Sequence, residues 1–155
     1  MAKYITPSLT ITSNRYDASS NPGPTSTPYN ISVSDLLSIS QVLHKIIDIP
    51  AGTVSTILDN ADYTDAAGQT EDGGYIFLRN LSTSTSCFIG HGSAGDGNME
   101  DGSDGEPYRL MTLDAGEFAF FPWGMEADIR IDAPSGTTAV TDGLELILFV
   151  KTGTA

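Results

Sequence analysis

An all-β chain, an antiparallel β-sandwich, is what the sequence predicts, and three features predict it. Sixteen Gly, eight Pro and abundant Ser and Thr break the 155 residues into short pieces, a composition of many turns and short strands. The apolar residues come either in runs of strand length, as in Tyr75-Ile-Phe-Leu-Arg-Asn-Leu81, or in strict alternation, as in Ala127 to Ala133. Turn residues such as Gly116, Gly143 and Pro134-Ser-Gly136 punctuate these runs at the spacing of a sandwich. A chain of this length suits one domain and buries roughly 70% of its unfolded surface without staples.

Taken in order, Ile5, Pro7, Leu9 and Ile11 alternate with polar residues and predict a first, edge-like strand. Residues 13 to 30 are dense in breaker residues and read as a long loop or extended arm. Residues 1–30 are therefore expected to form an N-terminal arm and loop, with the sandwich over 31–155. From Ser34 to Ile49 two readings compete. Leu36, Ile39, Leu43 and Ile46 have helical spacing behind a Ser34-Asp35 cap, whereas Ile39, Leu43, Ile47 and Ile49 fit one face of a long strand. The strand is favoured, turning at Ile49-Pro-Ala-Gly52 with Thr53 to Leu58 as the returning strand. Tyr75 to Leu81 is apolar on both faces except at Arg79 and Asn80, which predicts a central strand, and Thr85 to Gly90 is its expected partner. Tyr108–Leu113, Glu117–Pro122, Ala127–Ala133 and Leu144–Lys151 complete the set. In the third of these Ala127, Ile129, Ile131 and Ala133 face in, and Asp128, Arg130 and Asp132 face out.

Charge excludes whole classes of partner. Seven Lys+Arg stand against twenty Asp+Glu, a formal net charge of −13. A nucleic-acid binder needs clustered cations to displace phosphate counterions, and an anionic membrane surface repels such a chain. Neither nucleic acid nor membrane is expected as a partner; high solubility is, with basic partner surfaces an option. Cys87 is the single cysteine and sits in a strand-like run, so it reads as a buried, inert thiol. Met1-Ala-Lys-Tyr4 lacks the ~7–15-residue apolar run of a signal peptide, so folding in a cytoplasm is expected. Asn30-Ile-Ser32 and Asn80-Leu-Ser82 then match the glycosylation pattern by chance.

Half of the acids fall in two loops that hold no Lys or Arg. Residues 59–72 carry Asp59, Asp62, Asp65, Glu71 and Asp72; residues 91–106 carry Asp96, Glu100, Asp101, Asp104 and Glu106 among five glycines. Ca²⁺ takes about six to eight oxygens and would suit such a loop, but the EF-hand spacing fails. Counting from Asp96, Asp101 stands where the invariant Gly belongs and Pro107 where the bidentate Glu belongs. Solvated, mutually repelling carboxylates explain the pattern equally well, and no metal or cofactor is assigned. No catalytic residue is assigned either: Gly-x-Ser-x-Gly is absent, and Gly95-Asp-Gly97 among carboxylates would repel phosphate. Trp123, Phe120 and Phe121 offer a sugar-stacking platform or, more ordinarily, core residues beside a turn.

Two resemblances add to this reading. Leu113-Asp-Ala-Gly116-Glu-Phe-Ala-Phe-Phe-Pro122-Trp-Gly124 resembles the turn–strand–turn grammar of cupins, which implies a jelly-roll fold. The cupin metal set does not carry over, because His44 and His91 are isolated and Phe120–Glu126 contains no His. More broadly, Gly74–Leu81, Cys87–Gly90, Arg109–Pro122, Asp128–Ala133 and Leu144–Val150 resemble small virion proteins of tailed bacteriophages. There an Arg-Asn strand (Arg79-Asn80), a Leu-x-x-Gly-Glu turn (Leu113 to Glu117) and an Ile-x-Ala strand (Ile131 to Ala133) recur in jelly-roll-like domains, and Ile47-Asp-Ile-Pro50 resembles their opening strand. The resemblance spans roughly residues 46–150, through short motifs, and the 91–106 loop has no counterpart in it. It implies a capsid decoration (cement) protein on the outside of a virion. The partners implied are the major capsid protein and further copies of itself, with a trimer favoured. A tail or head-fibre component, a carbohydrate-binding jelly-roll module and an inactive cupin-like regulator are the rival readings.

Overall fold

The computed structural model describes residues 3–12, 30–34, 36–63, 73–92 and 108–151. Among them every regular element is a strand except one 3-10 turn, Asn60–Tyr63. The chain divides into two compact units between Ile39 and Ser40.

In the first unit, β1 (Lys3–Ile5) pairs antiparallel with the opening residues of β4 (Leu37–Ile49), Lys3 opposite Ile39 and Ile5 opposite Leu37. β2 (Ser8–Thr12) pairs antiparallel with β3 (Asn30–Ser34). The single first strand expected from Ile5 to Ile11 is thus two strands, separated at Thr6-Pro7, where proline supplies no N–H for a ladder. The long loop expected over residues 13–30 lies outside the described residues apart from Asn30, the first residue of β3.

The second unit holds the rest of β4 followed by β5 (Ser55–Leu58), β6 (Gly74–Asn80), β7 (Cys87–His91), β8 (Tyr108–Leu113), β9 (Phe118–Trp123), β10 (Ile129–Asp132) and β11 (Val140–Lys151). One sheet runs β4-β11-β6-β9 and the other β5-β10-β7-β8. First pairs with last: β4 with β11, β5 with β10, β6 with β9 and β7 with β8. The β11–β6 and β10–β7 pairings complete the two sheets. Such nested pairing is one long antiparallel ribbon folded over on itself, the arrangement of a jelly roll.

Two local expectations are corrected by this order. β5 does not return alongside β4, and β7 does not pair with β6; each crosses to the opposite sheet. At the first crossing Pro50 lacks a donor and Gly52 sits at φ 66, so the chain leaves the sheet plane instead of forming a tight hairpin. At the second crossing the Asn80 side chain takes over the corner. Its Nδ2 donates to the carbonyls of Thr85 (2.8 Å) and Leu113 (2.9 Å), and its Oδ1 accepts the Ser82 N–H at 2.9 Å. Buried amide groups of this kind persist only when paired, and here they fix where the chain leaves one sheet for the other.

The core fills the space between the sheets. Ile49, Ile76, Leu78, Leu144, Leu146 and Leu148 of the first sheet meet Leu58, Cys87, Ile89, Ile129 and Ile131 of the second. Full burial of side chains this size is worth ~1.5–3 kcal/mol each. Gly143, expected to mark the turn into the last strand, lies within β11 instead. A Cβ there would come 2.8 Å from Ile49 Cγ1, so glycine lets β11 approach β4 closely. In β10 the alternation holds, but Arg130 and Asp132 do not reach solvent as expected; both are buried. β10 is an inner strand, and the Arg130 guanidinium folds back onto Asp128 at 2.6 Å while its Nε donates to the Gly92 carbonyl at 2.7 Å.

Candidate interaction surface

The outward face of the β4-β11-β6-β9 sheet is the feature of the second unit that composition does not announce. In β6 and β11 the buried residues alternate with half-buried ones, so Tyr75, Phe77, Ile147 and Phe149 point away from the core. Register brings them into rows. Phe149, Tyr75 and Pro122 lie side by side across three strands; next come Ile147, Phe77 and Phe120, then Glu145, Arg79 and Phe118. Tyr75 stacks on Phe120 with centroids 5.5 Å apart and planes 6° from parallel, Phe77 stacks on Phe118 at 6.1 Å, and Phe120 meets Phe149 edge-on at 6.4 Å. The first two are diagonal contacts between the neighbouring strands β6 and β9, within reach of aromatic side chains and stabilising for a sheet, and the third reaches across β6 to β11.

This face is not closed over. Phe118 is 62% exposed, Phe120 40%, and on β4 Val42 is 47% and Ile46 51% exposed. Scattered apolar residues are ordinary on a protein surface, whereas a contiguous aromatic patch is the kind of surface that interaction sites use. β9 is the edge strand of this sheet, and Pro122 removes one donor from its free edge. That blunts strand-by-strand addition at this edge.

Charge on the face is nearly balanced. Arg79 and Lys151 stand on it with Glu145; Lys151 Nζ lies 5.1 Å from the Tyr75 ring centroid, a cation–π distance, and Glu145 Oε1 lies 3.1 Å from His44 Nε2. A chain of net charge −13 therefore has at least one surface free of its acidic excess.

No family model, curated protein or solved structure matches the chain.

The positions singled out by sequence fare differently. Trp123 turns into the core, 6% exposed, where its Nε1 donates to the Ala127 carbonyl at 2.9 Å and Tyr63 meets it edge-on at 5.4 Å. Phe121 packs against the core as well, so of the suggested platform only Phe120 faces out. His44 and His91 lie on different sheets, His44 beside Glu145 and His91 against the Tyr108 ring at 5.9 Å. Cys87 is buried, and burial pushes its thiol up to about 12. Asp59 and Asp62 belong to the 3-10 turn region, where Asp59 Oδ1 accepts the Ala61 N–H at 2.9 Å. Asp65, Glu71, Asp72 and the five acids from Asp96 to Glu106 lie outside the described residues. Among the described residues no group of three or more His, Cys, Asp or Glu is placed to hold a metal ion, and no helix is long and apolar enough to cross a membrane.

The aromatic face is hidden in the sequence because Tyr75 to Leu81, apolar on both faces except at Arg79 and Asn80, reads simply as a central strand. The missing signal was the matching alternation of Phe118, Phe120 and Pro122 in the neighbouring strand, which puts three more apolar residues on the same outward side.

Proposed function

We propose that this chain is a non-enzymatic structural component of a tailed-phage virion, a decoration (cement) protein that binds the major capsid protein on the capsid exterior and associates with its own copies, most simply as a trimer. The observation that carries the reading is the exposed aromatic face of the β4-β11-β6-β9 sheet, with its nearly balanced charge. An assembly protein needs one adhesive surface on an otherwise soluble body, and net charge −13 supplies the solubility. The phage setting rests on the motif resemblance over roughly residues 46–150 and on a jelly-roll topology compatible with it, a fold-level analogy. The trimer is drawn from three-fold positions on capsids. Acidity keeps such a protein off packaged DNA, which suits an outer surface. Many copies binding weakly at symmetric sites would add up through multivalency.

The carbohydrate-binding alternative is disfavoured by ring geometry. Sugar platforms present ring faces to the ligand, whereas here Tyr75 and Phe120 turn their faces toward each other.

Co-sedimentation tests the proposal. The purified chain, mixed with capsids of the phage whose genome carries it, is expected to pellet with them at a saturating, symmetric stoichiometry. Phe118→Lys with Phe120→Lys is expected to stay in the supernatant while keeping its β-rich circular dichroism. Saturable binding to tails or fibres with none to capsids would move the protein to the tail or head-fibre class, and melting raised by free glycans with no particle binding would replace the reading by the lectin-like one.

A further inference from the structure

Cations are scarce in this chain, seven against twenty acids, and three of those described are engaged within it. Arg130 folds onto Asp128, Arg109 lies 4.5 Å over the Phe88 ring, and Lys151 reaches the Tyr75 ring. Arg79 is different. It is exposed on the outward side of β6, and among the described residues it makes no ion pair, hydrogen bond or ring contact. Glu145 stands directly opposite it on β11, yet the Glu145 Oε1 is taken by His44 at 3.1 Å. On the other flank Phe118 stands directly opposite on β9, and Phe77, two residues along β6 on the same side, stacks on Phe118. Lys45 is also exposed, but alternation along β4 puts it on the side of Leu43 and Ile47, away from Val42 and Ile46. Arg79 is thus the one unengaged cation of the aromatic face among the described residues.

A partner that covers Phe118 covers Arg79 with it and strips water from the guanidinium. A cation desolvated without a counter-charge is strongly unfavourable, so a purely apolar partner surface fits this face badly. A carboxylate fits it well, because its two oxygens match the fork of N–H donors that a guanidinium presents. A phosphate-bearing polymer would bring many negative charges against a chain that stands at −13. One carboxylate in an otherwise apolar segment brings the least like charge that still satisfies the fork.

We propose that Arg79 determines the specificity of this face: the partner segment that docks there carries an Asp or Glu side chain, which pairs with the Arg79 guanidinium beside the Phe118 ring. This rests on the docking assigned to the face above and names the chemistry of what docks. With Glu145 held by His44, the fork is open to an incoming carboxylate. A pair closed in beside aromatic rings is screened little by salt, and arginine with aromatic side chains is the combination that anchors many interfaces.

Co-sedimentation with capsids of the phage whose genome carries the chain decides the matter, because two accounts of Arg79 differ in sign. If the face adheres only through apolar burial, Arg79→Met enlarges the adhesive area and tightens binding. Amidating the capsid carboxylates with carbodiimide and glycinamide then tightens it too, since less charge repels an acidic chain. With the pair in place, Arg79→Met is expected to weaken binding about 30-fold or more, the effect of truncating one partner of a buried charge pair. Arg79→Glu should abolish it, and Arg79→Lys should keep part of it, retaining the charge without the fork. Amidation should weaken binding of the native chain while costing Arg79→Met nothing further, since both changes remove the same contact. All three variants should keep the native circular dichroism, as expected for an exposed side chain. Capsid binding by Arg79→Met as tight as that of the native chain, or amidation that weakens both chains alike, overturns the pair and leaves the virion reading standing. Binding to tails in place of capsids, with the same dependence on Arg79 and on amidation, keeps the pair and moves the protein off the capsid. A native chain that binds no particle sinks both.

Discussion

Asn80 and Arg130 are polar side chains that the fold buries and then satisfies completely enough to use as fasteners. Asn80 makes three hydrogen bonds across the corner from β6 to β7, reaching Leu113 at the end of β8. Asn80→Ala leaves two carbonyls and an N–H in the interior without that partner, and at ~1–3 kcal/mol for each unmade buried bond a total loss of about 3 kcal/mol is expected in urea unfolding. The Arg130–Asp128 pair joins β10 to Gly92, and Asp128 Oδ1 also accepts the Asn60 N–H at 3.0 Å. Arg130→Met strands a carboxylate and should cost ~3–5 kcal/mol, and the double variant with Asp128→Asn should recover part of it, since the desolvation penalty goes with the charges. Cys87 gives a pH signature. Its thiol ionises near 9.0 when unfolded and near 12 when folded. Between those values the unfolded state binds fewer protons, so stability, full below about pH 9, falls as pH rises, by up to ~1.4 kcal/mol per unit. Tyr63, also raised by burial and by the neighbouring Asp62, acts in the same direction. Urea midpoints measured from pH 8 upward should fall less steeply in Cys87→Ala than in the native chain; equal slopes would mean that Cys87 is not the group responsible.

Strands and their pairing decide what a single residue can change. Gly74 opens β6, and a Cβ there would lie 2.7 Å from the Phe149 carbonyl oxygen, an atom of the β11 ladder that cannot move alone. Gly74→Ala should therefore loosen the central pairing of the first sheet by ~1–3 kcal/mol, the range for overpacking, and a melting temperature unchanged from the native chain would refute that. At this scale the sequence was informative where period and burial coincide. The strands at Tyr75, Tyr108, Phe118, Ile129 and Leu144 were legible because runs of β-branched and aromatic residues stop at turn residues. Their partners were not, because a jelly roll pairs first with last and adjacency in sequence says little about adjacency in a sheet. The helical spacing of Leu36, Ile39, Leu43 and Ile46 was also real, yet β4 is a strand: Ile39, Leu43, Ile47 and Ile49 supply the core side, while Val42 and Ile46 lie outward on the aromatic face. An apolar residue on the outer side blurs the alternation that would have identified the strand. The same blurring hid the interaction surface, since a sheet apolar on both sides looks in sequence like a sheet covered on both sides.

For the whole molecule, two opposed tendencies decide when copies associate. Net charge −13 drives copies apart, at a range set by a Debye length of ~10 Å at 0.1 M salt and ~3 Å at 1 M. In the proposed assembly the aromatic face would draw them together at contact, through burial of apolar surface that does not depend on ionic strength in the same way. Raising NaCl from about 0.05 to about 0.5 M shrinks only the repulsion. Self-association should therefore tighten with salt, and binding to a particle through the same face should hold steady or tighten. Docking through the acidic excess onto a basic partner predicts the opposite, because opposite charges attract less as salt rises. Light scattering and co-sedimentation across that range read out both. Association that weakens steadily with salt would assign the interface to the carboxylates and remove the aromatic face from the assembly. Tightening that is lost in Phe118→Lys with Phe120→Lys would leave the face of the β4-β11-β6-β9 sheet as the surface through which this acidic jelly roll joins its neighbours.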